Sequence, residues 1–145
     1  MPNWVPDWSW GLPLLILTVV GHVVALLLTA MTFRRFGPVT SAPMTTASPF
    51  VIFVALSALA SSVYLAADAA AWALLYVWLG ALADWQTAML YSLSAITSYG
   101  HAEVFLEKRW QLLGAIEAVN GMILFGLTTA FLFAAFERVW PLRRI

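Results

Sequence analysis

The chain has 145 residues, 63% of them hydrophobic and only 10% charged, with seven acidic groups balancing seven basic ones. A soluble domain carries about 25% charged residues, so the composition excludes a conventional soluble enzyme, a nucleic-acid binder and a disordered chain, and it points to the bilayer. The lack of cysteine removes disulfides, thiolate catalysis, cysteine-ligated zinc and iron–sulfur clusters.

The N-terminal stretch has no Lys or Arg, contains Asp7, and carries Trp4, Trp8 and Trp10. A secretory leader begins with basic residues, whereas tryptophans of this kind suit a membrane–water interface. The first apolar run, Leu12 to Phe33, holds no charge and a single polar ring, His22. At 1.5 Å per residue it covers about 33 Å, enough for a hydrocarbon core of about 30 Å. Arg34 and Arg35 end it, and Gly37 to Pro49, with three prolines and many hydroxyl residues, reads as a linker.

A second run extends from Phe50 to about Ala83 and is broken only by Asp68. Its length exceeds one perpendicular crossing, which predicts tilt or a projecting outer end. Asp84 to Ile96 reads as a short helix with Asp84 as N-cap. It spans about 18 Å, too little to cross the membrane. The Ser/Tyr/Gly/His segment that follows fits a re-entrant loop, backbone that is tolerated at membrane depth only against protein or water. The last run, Trp110 to Phe136, contains Glu117, and Arg138, Arg143 and Arg144 close the chain.

Three crossings place the termini on opposite sides. Arg34, Arg35, Arg138, Arg143 and Arg144 then share one face against Lys108 and Arg109 on the other. The positive-inside rule puts the five in the cytoplasm and the N-terminus and loop outside. There is no repeat of 20–50 residues and no inverted symmetry of the transporter kind.

The order helix, short helix, Gly-containing loop, helix is also that of tetrameric cation-channel pores, and the residues themselves resemble the small bacterial potassium channels. The stretch YSLSAITSYGHAEV begins at Tyr91. Aligned without gaps, Thr97, Ser98, Tyr99, Gly100, His101, Ala102 and Glu103 fall on the family's filter signature Thr-Thr-Val-Gly-Tyr-Gly-Asp. NGMILFGLTTA, residues 120–130, is similar to the inner-helix segment, with Gly121 at the hinge and Gly126 below it. The run RWQLLGAIEAVNG (109–121) is likewise similar to members with one helix ahead of the pore domain.

The resemblance implies an all-α membrane protein with three transmembrane helices per subunit, a re-entrant pore helix and a filter loop. It implies a homotetramer in a bacterial inner membrane. Residues 1–49 would be the extra helix with its flanks, 50–137 the pore domain and 138–145 a basic tail. Within the pore domain the pore helix would be 84–96, the filter 97–103 and the inner helix 110–137. The chain would be a passive conductor with no cofactor and no nucleic-acid partner. Potassium, sodium and calcium all stand open as permeant ions.

The filter departs from the signature. Ala102 replaces the second glycine, where an L-residue in the left-handed region costs about 1–2 kcal/mol per subunit. Tyr99 and His101 replace a small apolar residue and the bracing Tyr. A second register sets Tyr99-Gly100 on the later Tyr-Gly pair but loses the first glycine and the spacing to Trp110. A ring of four Glu103 carboxylates at the outer mouth would select cations and favour a divalent one, or partial protonation. The expectation is a cation pore shifted away from potassium selectivity. The alternatives are a potassium-selective pore, a non-conducting subunit, and a membrane metal-binding protein using His22, Asp68, His101, Glu103 and Glu107.

Glu117, Asn120, Leu124 and Thr128 share one face of the last helix. A charge at bilayer centre costs on the order of 2.5–3.5 kcal/mol, which marks such residues as functional candidates. Asn120 is expected to line the cavity with Thr128. Glu117 is expected to brace the pore helix or Tyr99 rather than meet the ion. His22 and Asp68 lie at depths that allow them to meet, as a packing contact or as a pH-responsive pair. Trp72, Trp78, Trp85 and Trp110 are expected to anchor the outer interface.

Overall fold

The computed structural model of the protein describes residues 4–36, 47–100 and 104–139, and the regular elements among them are all helical. They are α1 (Val5–Phe36), α2 (Ala47–Trp78), α3 (Trp85–Ile96) and α4 (Gln111–Val139), the last entered through a single 3-10 turn at Lys108–Trp110. Three segments, Val5–Phe33, Val51–Trp78 and Lys108–Glu137, are long and apolar enough to cross a membrane. The chain is a multi-pass membrane protein.

The helices differ from the apolar runs at their ends, for local reasons. α1 starts at Val5 rather than Leu12, because Pro6 stands in the first turn, where its missing N–H is not needed. α2 stops at Trp78 instead of running on to Ala83. Gly80, with φ +65, takes the left-handed position there. The N–H of Ala81 donates to the Tyr76 carbonyl at 2.9 Å and that of Gly80 to Val77 at 3.1 Å, the paired bonds of a glycine-terminated helix end. α3 begins where the sequence places it. Asp84 is extended, and its carboxylate accepts the Thr87 N–H at 2.9 Å and the Thr87 hydroxyl at 2.7 Å.

Side-chain ties set the direction of the long helices. Asp7, Thr18 and His22 of α1 meet Leu113, Asn120 and Thr128 of α4 in the same order, so α1 and α4 run parallel. α2 runs against both, since Asp68 meets His22 while Tyr76 meets Glu117 and Tyr64 meets Thr29. Arg34 and Arg35 at the end of α1 and Arg138 at the end of α4 therefore stand at one end of the bundle, opposite α3.

The core lies in the half of the bundle that holds α3. Trp72, Ala73 and Tyr76 of α2, Ala88 and Tyr91 of α3 and Trp110, Leu113 and Ile116 of α4 pack there. Trp72 and Trp110 are buried and belong to this core, not to an interfacial belt. Trp78 and Trp85 are exposed, as are Trp4, Trp8 and Trp10. Aromatic edges join α1 to α2 at both ends, Trp10 against Trp78 and Phe33 against Phe53.

Candidate functional site

α3 and its following loop are held by two glycines of α4. A Cβ on Gly114 would collide with the Tyr91 hydroxyl, and one on Gly121 would collide with the carbonyl oxygen of Ile96 and lie 2.6 Å from its Cα. The last residue of α3 thus rests directly on the α4 backbone. Gly121 is ten residues beyond Gln111, about 15 Å down the helix. Gly121 is a close-approach glycine, and α4 continues unbroken through it. Gly126, expected below the hinge, has open space for at least 4 Å around the point where a Cβ would stand.

The end of α3 is tightly wound. The N–H of Thr97 donates to Leu93, that of Ser98 to Ala95, and those of Tyr99 and Gly100 both to the Ser94 carbonyl, at 3.0 and 3.5 Å. Ser98 occupies the left-handed region at φ 56, where glycine is usual, and Gly100 does so at φ 83. Thr97, Ser98, Tyr99 and Gly100 are all exposed, Tyr99 to 87% of its surface. His101, Ala102 and Glu103 lie outside the described residues. The chain resumes at Val104 and reaches α4 through Leu106, which packs on Gly114.

The polar face of α4 looks into the bundle. Glu117 and Asn120 are fully buried, and Thr128 nearly so. The Glu117 Oε2 accepts the Tyr76 hydroxyl at 2.6 Å, with Ser92 of α3 beside the same carboxylate. The Asn120 amide donates to the Thr18 hydroxyl at 2.8 Å. Asn120 and Thr128, expected to line a central cavity, here hydrogen-bond to Thr18 and His22 of α1. α1 packs over this face and encloses it within the chain, and the periodicity that assembled the face carried no sign of which neighbour would cover it. Glu117 braces the bundle through α2, not through Tyr99.

His22 and Asp68 come together, with Nδ1 2.7 Å from Oδ2. On the other side of the ring, Nε2 is 2.9 Å from the Thr128 hydroxyl. The carboxylate requires Nδ1 to donate, which in the neutral ring leaves Nε2 to accept from Thr128. The three groups join α1, α2 and α4 across the interior. Exposed Glu107, by contrast, pairs with Arg109 at 3.0 Å. Among the described residues no three His, Asp or Glu side chains stand together as a metal site.

Sequence reasoning missed Asp7. Its carboxylate is fully buried and its Oδ1 accepts the N–H of Leu113 at 2.9 Å, which satisfies one of the free donors in the first turn of α4. A lone acid in an otherwise uncharged interfacial segment was the available signal. No protein-family model matches the chain, and neither a curated protein nor a solved structure does.

Proposed function

We infer that the chain is one subunit of a homotetrameric cation channel, with α3 as pore helix and the loop from Thr97 onward as a filter of non-standard sequence. One observation carries the reading. A non-crossing helix ends against Gly121, about halfway down a crossing helix, and leaves an exposed turn of Thr97–Gly100 there. Irregular backbone at that depth cannot face lipid, because carbonyls left without a donor cost several kcal/mol each in hydrocarbon. Other copies around a watery axis would satisfy it. The α3 C-terminus contributes further, since its partial negative charge favours cations.

The resemblance in residues suggests the kind of pore, and the altered filter suggests its selectivity. Without the second glycine, the carbonyl cage that replaces potassium's hydration shell is disrupted. A Glu103 ring would then take over discrimination and admit divalent cations. Native mass measurement in detergent tests the assembly. Four copies are expected, and a monomer would end the proposal.

A further inference from the structure

The polar atoms that the bundle leaves unpaired concentrate around α3. Among the buried side chains, Glu117 Oε1 and Ser92 Oγ have no hydrogen-bond partner, and Asp7 Oδ2, Asn120 Oδ1 and the indole nitrogens of Trp72 and Trp110 are in the same position. A buried polar group left unpaired costs about 1–3 kcal/mol, and more if charged. Native interiors therefore satisfy such atoms with a proton or a water.

Glu117 is the best-defined of these sites. One carboxylate oxygen is fixed by the Tyr76 hydroxyl, the other is free and fully enclosed, and Ser92 of α3 faces the carboxylate. The titratable groups facing it are Tyr76 from α2 and Tyr91 from α3, with Asp7 of α1 acting on the same Tyr76 phenol. Among the described residues, no Lys, Arg or His acts on it.

We propose that Glu117, Tyr76 and Ser92 form a proton-binding site behind α3, and that its occupancy sets the conformation of the turn Thr97–Gly100. A proton taken from water onto Oε1 makes that oxygen a donor to Ser92 Oγ. The Ser92 hydroxyl hydrogen is then free for the Ala88 carbonyl one turn back. When the proton returns to water, Ser92 swings its hydrogen to the carboxylate. Ser92 is two residues from Ser94, whose carbonyl holds the amides of Tyr99 and Gly100. A change at Glu117 thus reaches the loop through less than one turn of helix. The consequence for ion flow rests on the channel reading, but the site does not.

The chain lacks cysteine, so Phe105→Cys, at a position 72% exposed on the far side of the loop, takes a single environment-sensitive fluorophore. Labelled protein in phosphatidylcholine liposomes is titrated between about pH 5 and 9.5 while cation flux is followed in parallel. A one-proton change in emission is expected. Glu117→Gln should abolish it, and Ser92→Ala should move its midpoint by about 0.5 pH unit or more. Tyr76→Phe, which keeps the ring in the core, should move the midpoint too and serves if Glu117→Gln does not fold. No titration in the parent protein, or the same midpoint in all variants, overturns the proposal. Titration without flux would retain the proton site and remove the channel, and flux without titration the reverse.

Discussion

Gly121 and Gly126 look interchangeable in sequence, both small residues inside α4, yet only Gly121 has the Ile96 backbone against it. Gly121→Ala must force α3 away or bend α4, a strain of about 1–3 kcal/mol. Gly126→Ala adds a methyl to open space and gains up to about 1 kcal/mol of helix propensity. Thermal unfolding in detergent should separate the two in opposite directions, and equal shifts would show that α3 does not rest on Gly121. His22 and Asp68 permit a similar contrast. Asp68→Asn or His22→Leu alone breaks a buried pair, at about 3–5 kcal/mol, whereas Leu at both positions should recover most of that loss. An additive double variant would mean that the two side chains do not interact. The pairing was legible as two polar residues at matching depths of neighbouring crossings. The Thr128 contact was not, since a threonine in an apolar helix ordinarily bonds its own backbone, as Thr18, Thr29 and Thr129 do here.

Among the elements, α3 depends most on local sequence. Its N-terminus is held by Asp84, whose carboxyl lies below its usual range chiefly because it accepts the Thr87 N–H and hydroxyl. A carboxyl lowered by folding stabilises above its ordinary value, and that contribution disappears as pH falls through the lowered one. Asp84→Ala should therefore reduce the unfolding temperature at pH 6, with the difference from the parent vanishing on acidification below the carboxylate range. A constant difference down to the lowest pH would contradict the cap. The cap was legible because Asp84 precedes a helix-length segment. The end of α2 was harder to read, since Leu79, Ala81 and Leu82 continue the apolar run past Gly80 and hydropathy alone gives a glycine no stopping power. The buried face of α4 was visible as a spacing of threes and fours. Which way it turned depended on α1, and no helical period encodes its neighbour.

For the whole molecule, the parallel α1 and α4 and the opposed α2 agree with an odd number of crossings and with a common end for the arginines of α1 and α4. In the single chain the turn at Thr97–Gly100 is exposed, and the proposed assembly would cover it with other copies around a shared axis. In the proposed filter, selectivity rests on the Glu103 carboxylate. Glu103→Gln should reduce divalent permeation or block more than monovalent, and unchanged ratios would remove Glu103 from selectivity. Reconstituting the purified protein in liposomes and measuring passive cation flux down a gradient decides whether it conducts. The expected result is flux that saturates without any substrate turnover and falls when residues of the proposed filter are altered. Liposomes that stay sealed to potassium, sodium and calcium alike across the pH range would contradict it.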